Sequence, residues 1–286
     1  MDRHQAPSRA TGAGSRKLSG ALPTFVIIGA QKCGTTSLHA YLDKHPETSM
    51  SQPKELNFFI ERRNWGKGLD WYRSHFDPAK DVRGESSPNY TAAPNFPGVP
   101  EKMASVIPDA KLIFMVRDPI DRIRSEWIHN YAKRNTDWSI GEAIRRRKVY
   151  VNRSKYNMQL QLYLEHFPRE RILIIDQIDL LKQRRETLQR VFRFLGIDTE
   201  FWDDSFEQKR LSSSSRRRTT KLGYLLGEGR NGRRLPGWLR RWSFIRREFE
   251  QPPLPADVEA ELKEQLADDA AAFRLATGMD FPHWKV

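Results

Sequence analysis

The sequence predicts an α/β fold of three layers, with a central, mainly parallel sheet between helices and a P-loop-like first turn. Three features carry that expectation. Short apolar runs rich in β-branched residues alternate with helical patterns through most of the chain. One run, Lys111 to Val116 (KLIFMV), has the unbroken apolar character of a strand covered on both faces. Another, Phe25 to Ile28, passes through a glycine loop straight into a helical pattern.

In chain order, residues 1–21 are rich in Arg, Ser, Gly and Ala, lack an apolar segment, and are expected to form a disordered basic tail. Residues 22–286 are expected to form one domain with one sizeable core, because no internal repeat divides them. Pro23 and Gly29 bound the first strand. The loop Gly29-Ala30-Gln31-Lys32-Cys33-Gly34 leads through Thr35, Thr36 and Ser37 into a helix with Leu38, Tyr41 and Leu42 on one face, stopped at His45-Pro46. Loop amides and a helix N-terminus aim N–H groups at one spot, and the macrodipole adds partial positive charge there. The spacing Gly29-x4-Gly34 imitates a nucleoside-triphosphate loop, but Thr35 stands where that loop's lysine belongs and the lysine is at Lys32 instead. No downstream strand ends in a free Asp suited to Mg²⁺; Lys111–Val116 ends in Arg117-Asp118-Pro119. The loop therefore suits a less highly charged anion, held without metal.

Glu47 to Gln52 reads as a short strand or turn. In Pro53-Lys54-Glu55-Leu56-Asn57-Phe58-Phe59, an acid between a proline turn and an aromatic pair is open to partial desolvation, which raises a carboxylate toward a useful base. Pattern alone, however, favours a solvated loop acid. Gly68 to Phe76 has a helical face of Leu69, Tyr72 and Phe76, Asp81 to Ser87 reads as a second buried strand, and Pro100 to Ile107 as a helix. After Arg117-Asp118-Pro119 comes a helix bearing Ile120, Ile123, Trp127, Ile128 and Tyr131, so Arg117 stands at the carboxyl end of a parallel strand, where α/β folds bind ligands. Ser139 to Lys148 reads as a basic helix, Ser154 to Phe167 as an amphipathic one, Arg171 to Ile175 as a buried strand, and Leu180 to Leu195 as a single helix closed by Gly196. Ser205 to Lys221 is basic and poor in apolar residues. Residues 222–250 form a basic lid or insert, open between covering an acceptor, touching anionic lipid, and a solvent loop anchored by Trp. Leu254 to Ala276 reads as a long acidic helix capped by Gly278.

The stretch IIGAQKCGTTSLHAYLDKHP resembles the phosphosulfate-binding loop of the sulfotransferases that use 3′-phosphoadenosine-5′-phosphosulfate (PAPS). It is closest to the heparan sulfate N- and O-sulfotransferase branch and its bacterial relatives, and the resemblance extends along most of the chain. It implies that Gln31, Lys32, Cys33, Gly34, Thr35, Thr36 and Ser37 bind the 5′-phosphosulfate, with Lys32 also catalytic. It implies that Glu55, matching the acid of the family's acid-x-His-Phe-Phe segment, is the general base; Asn57 stands here where many relatives have His. Arg117 and Ser125 match the family's Arg-Asp-Pro…Ser motif for the 3′-phosphate, and a guanidinium fork with a nearby hydroxyl suits that group. Arg216, Arg217 and Arg218 fall in the loop that closes over the nucleotide in relatives. On the acceptor side the resemblance places Trp71, in a Gly-x-x-Trp-Tyr segment, together with Glu85 and Tyr156. Glu85-Ser86-Ser87-Pro88-x-Tyr90 is similar to the family's Glu-Lys-Thr-Pro-x-Tyr, with Ser86 in place of lysine. Glu85 stays open between orienting an acceptor, acting as a second base, and pairing with an arginine; Tyr156 stays open between the site and the core. The ending Thr277-Gly278-Met279-Asp280-Phe281-x-x-Trp284 is similar to that of many bacterial members.

Lys plus Arg number 49 against 36 Asp plus Glu, a formal net charge of +13, which favours anionic partners. With the resemblance, the expected partners are the donor PAPS, with no metal, and a carbohydrate, glycolipid or small-molecule acceptor. An anionic surface touching the basic tracts is a further expectation; a nucleic acid partner is not expected. Cys33 is the single cysteine, which excludes an internal disulfide framework and a Cys-based zinc site, and it reads as a small loop residue. A reducing compartment, the cytoplasm, is the expected location, and no apolar run approaches the length of a membrane span. The rival reading is a P-loop-type nucleotide-binding protein or kinase, or a basic nucleic-acid-binding module.

Overall fold

The computed structural model describes residues 20–207, 217–226, 236, 246–249 and 251–286. The tail expected over 1–21 lies outside the described residues except at its last two positions, and so does most of the 222–250 insert.

Strands β1 (Phe25–Gly29), β2 (Thr48–Met50), β3 (Val82–Ser86), β4 (Lys111–Val116) and β5 (Ile172–Asp176) pair in the order β2-β3-β1-β4-β5, every neighbour parallel. All of β1 is buried, as its unbroken apolar run requires of the middle strand of a sheet covered on both faces. The flanking helices are α1 (Thr35–Leu42), α2 (Gly68–Arg73), α3 (Val99–Val106), α4 (Pro119–Ala132), α5 (Ile140–Arg146), α6 (Val149–Asn152), α7 (Tyr156–Leu164), α8 (Gln177–Lys182), α9 (Arg184–Leu195), α10 (Lys221–Leu225) and α11 (Ala256–Thr277). Sheet and helices make a three-layer α/β fold. A separate antiparallel ribbon, β6 (Arg217–Thr219) with β7 (Arg246–Glu248), frames the ends of the insert; the sequence gives no sign of it.

Two apolar clusters hold the layers together. The larger joins β1, β4 and β5 to Leu38 and Leu42 of α1, Leu160 and Tyr163 of α7, Leu188 and Phe192 of α9, and Phe273 of α11. The smaller packs Ile120, Ile123 and Trp127 of α4 against Ile140 and Ile144 of α5 and Val258, Leu262 and Leu266 of α11. The long helix α11 thus bridges both clusters.

Local chemistry sets the helix ends. Asp118 accepts from the Asp121 N–H at 2.7 Å and Pro119 opens α4, fixing its start just past the strand end. Ser139 and Glu142 form a reciprocal capping box on α5. The single helix expected over 180–195 is instead two, α8 and α9, broken at Gln183, whose backbone leaves the helical region (φ −127°, ψ 53°). Asp176 begins α8 early by accepting from the Ile178 N–H at 3.1 Å. The short α6 was not anticipated either.

Candidate active site

The anion cradle forms where β1 meets α1. The Ala30 N–H donates to the Met115 carbonyl at 2.6 Å, pinning the loop to β4. Gly34 takes a left-handed conformation (φ 89°) and turns the chain into α1, where its carbonyl accepts from the Ser37 N–H at 2.9 Å and the Leu38 N–H at 3.2 Å. Lys32 is also left-handed (φ 73°). Burial, and then the cationic neighbours Lys133 and Arg117, push its ammonium down from 10.5 to about 8. Thr36 is exposed, Lys32, Gly34 and Ser37 are half-buried, and Thr35 is buried. Cys33 is fully buried; burial pushes its thiol up to about 11, and its sulfur lies 3.6 Å from the Tyr156 hydroxyl.

The cationic wall stands on the β4 side. Arg117 follows β4, partly exposed, with its guanidinium 3.7 Å from Asp121. Ser125, two turns along α4, is half-buried. Arg218 stacks on Tyr131, 3.7 Å from the ring centroid, donates to the Tyr131 hydroxyl at 2.7 Å and pairs with Asp137. These contacts place it at the end of α4. Arg217 is placed by its backbone in β6, and Arg216 lies outside the described residues.

The opposite, β3 side holds the acids. Ser86 pairs with Ile27 in register, and the Ser87 N–H donates to the Ile27 carbonyl at 3.1 Å, so this segment lies against the strand that carries the cradle. Glu55 departs from its expected partial desolvation. Asn57 to Ile60 are buried, with Phe58 stacked on Tyr72, and this leaves Glu55 on the rim, 48% exposed and 3.1 Å from Lys54. Glu85 is the desolvated acid instead. It is wholly buried, accepts from the hydroxyls of Tyr72 at 2.6 Å, Tyr90 at 2.9 Å and Ser87 at 2.7 Å, and burial pushes its carboxyl up. No arginine pairs with it among the described contacts. Enclosed in this way, the Glu85 carboxyl ties Tyr72, Tyr90 and Ser87 to one another. Tyr156 is likewise a core residue, buried with its ring against Phe114, Phe273 and Trp284, and it supports the cradle from below through Cys33. Trp71 is half-buried, with the Lys67 ammonium 4.3 Å over its ring. Ser86 shares a 2.9 Å hydrogen bond with His39, whose imidazole burial pushes down to about 4.

Sequence reasoning missed a polar stripe on α4. Arg122, Glu126, His129 and Lys133 follow helical spacing, and that periodicity was a readable signal. Lys133 and Glu126 both bear on Lys32; burial and Lys32 push His129 down to about 4. Among the described residues no cluster of His, Cys, Asp and Glu could hold a metal ion, and no helix is long and apolar enough to cross a membrane.

Comparison with known proteins bears on the family and the fold. A family model described as "Sulfotransferase domain" matches residues 22–248. A bifunctional heparan sulfate N-deacetylase/N-sulfotransferase 1 of Caenorhabditis elegans is 28% identical over 193 residues, 62% of this chain and 22% of the relative. The human protein numbered 3 in that series is 30% identical over 198 residues, with the same coverage of 62% and 22%. The chain therefore spans about a fifth of the length of these curated relatives. A sulfotransferase crystal structure from Alicyclobacillus acidocaldarius, 24% identical, superposes over 93% of this chain and 100% of its own with a TM-score of 0.70, and shows the same fold.

Proposed function

Because the chain belongs to the sulfotransferase domain family, and so transfers a sulfuryl group, we propose that its donor is PAPS and that its own residues divide the work across β1. The observation that carries this is Lys32. A half-buried ammonium in a left-handed turn, beside a helix N-terminus and facing Arg117 and Lys133, is a preorganised anion site. Lys32, the loop amides and the hydroxyls of Thr35, Thr36 and Ser37 take the 5′-phosphosulfate, and Arg117 with Ser125 takes the 3′-phosphate. Arg218 supplies further positive charge at the end of α4, and Arg217 and Arg216, its neighbours in sequence, are assigned with it to the 3′-phosphate.

Glu55 removes the acceptor proton as the acceptor oxygen or nitrogen attacks sulfur. The new bond to sulfur forms as the sulfur–oxygen bond to the 5′-phosphate breaks, and the electron pair left on the phosphate oxygen is met by Lys32. A rim acid suits this role better than the enclosed Glu85, since a base must reach the proton it takes. The acceptor proposed is a hydroxyl or amine of a carbohydrate or glycolipid. The names of the heparan sulfate relatives support it, as do the net charge of +13 and the half-buried Trp71. The single, buried Cys33 supports a reducing compartment, the cytoplasm. The family match over residues 22–248 disfavours the kinase-like and nucleic-acid readings.

Calorimetric titration with adenosine 3′,5′-bisphosphate tests the donor. Tight binding without Mg²⁺ is expected; binding only of Mg²⁺-ATP would overturn it. With labelled PAPS and fractionated glycans and lipids, Lys32→Ala and Glu55→Gln are each expected to slow transfer about a hundredfold or more.

A further inference from the structure

Arg153 follows α6 and is 12% exposed at its side chain. Its guanidinium meets three separate parts of the chain. Nη1 donates to Gln31 Oε1 of the cradle at 2.7 Å and pairs with Glu126 Oε1 on α4; Nη2 donates to Asn89 Oδ1 at 3.1 Å. The Glu126 anchor is itself fixed, because its other oxygen is held at 2.8 Å by Arg122, a wholly buried arginine that also donates to Ser154 and to the Tyr150 carbonyl. From Asn89 the contacts run on toward Glu55. Asn89 Nδ2 donates to Asn57 Oδ1 at 3.0 Å, and Asn57 Nδ2 donates to the Glu55 carbonyl at 3.2 Å. The Asn57 N–H donates to Ser87 Oγ at 2.9 Å, and its backbone is held left-handed at φ 48°. A backbone in that region persists where its surroundings fix it.

We propose that Arg153 is a positioning residue that couples the cradle to the Glu55 segment, through Gln31 on one side and Asn89 and Asn57 on the other. The inference rests on the donor and base reading above. Lys32 lies in the loop that leaves β1 and Glu55 in the segment that leaves β2, with β3 between those two strands. Misplacement of reacting groups by about 1 Å can cost about a hundredfold in rate, so the two need a common reference. A planar fork that bonds an amide oxygen on each side and a carboxylate behind provides one; a lysine, a single-point donor, cannot span all three. The coupling is reciprocal: filling the cradle steadies residues 55–60, and steadying those residues favours a filled cradle.

Amide hydrogen exchange on the full chain, with and without adenosine 3′,5′-bisphosphate and without Mg²⁺, tests this without an acceptor. In the wild type the nucleotide is expected to slow exchange in the cradle, and also at residues 55–60 by about fivefold or more. Asn89→Ala, which cuts the path beyond Arg153, is expected to keep cradle protection and lose it at 55–60; Arg153→Met is expected to lose it at 55–60 as well. Asn89→Ala keeps the test decisive if Arg153→Met fails to fold. A purely structural role would raise basal exchange at 55–60 yet leave the nucleotide's effect there intact. Protection of 55–60 that survives both substitutions, or that is missing in a wild type whose cradle is protected, would overturn the coupling. Absence of any nucleotide effect at the cradle would instead remove the donor reading on which the inference stands.

Discussion

On the proposed reading Lys32 carries the chemistry of the cradle, and its ammonium near 8 makes that chemistry depend on pH in a definite direction. The charged form grips phosphate. It predominates below pH 8, and the ligand's phosphates take their last ionisation at about pH 6, so affinity for adenosine 3′,5′-bisphosphate is expected to be level from about pH 7 to 7.5. Above 8 the empty site loses its proton, and each further unit should weaken binding by up to about tenfold. Lys32→Arg should flatten that alkaline arm, since a guanidinium stays protonated. Calorimetry from pH 6 to 9.5 reads both curves; a level wild-type profile would contradict the assignment. The lysine's presence in the loop was legible in the sequence. Its depressed ammonium was not, because that comes from burial and from Arg117 and Lys133, far along the chain. The acids teach the same lesson. Pattern marked both Glu55 and Glu85, but only the packing of Tyr72 and Tyr90 decides which one is enclosed.

At the scale of elements, the strand–loop–helix unit depends on the left-handed turn at Gly34. A Cβ there would meet Gln177 Cγ and Met115 Cε at 3.4 Å, and the conformation itself (φ 89°) costs a side chain about 1–2 kcal/mol. Gly34→Ala should therefore lower stability by about that amount and weaken nucleotide binding as the loop amides shift. Gly68 offers a control, because its φ is also positive (77°) and it is open to added bulk, though its ψ of 169° lies in a region essentially confined to glycine, and it opens α2 rather than the cradle. Gly68→Ala should destabilise by at least that amount, about 1–3 kcal/mol, and leave nucleotide affinity unchanged. Urea melts and titrations on both variants check the pair. The sheet strands β1, β3, β4 and β5 were legible nearly to the residue, because apolar runs such as KLIFMV admit few alternatives. The break at Gln183 was not, since Leu180 and Leu188 continue one helical period across it. Nor was α6, which is a single turn.

At the scale of the molecule, residues 281–286 cross the carboxyl ends of β4 and β5. Trp284 stacks 4.2 Å from Phe281, lies parallel to Phe273 and donates to Asp176 Oδ2 at 3.0 Å, while the Lys285 N–H donates to Asp118 Oδ2 at 2.6 Å. Trp284→Ala should cost about 3–5 kcal/mol. It should also weaken binding of adenosine 3′,5′-bisphosphate, because Asp118 and Arg117 share the strand end that this segment braces. Chemical denaturation and titration at low temperature test the two effects separately. The motif of that ending was visible in the sequence; its seat was not, since it joins residues more than a hundred positions apart. The order β2-β3-β1-β4-β5 has one more implication. With the cradle at the tip of the middle strand, a molecule seated there clasps pieces of chain gathered from three distant stretches of sequence. Its grip on the protein and the protein's resistance to heat must rise together.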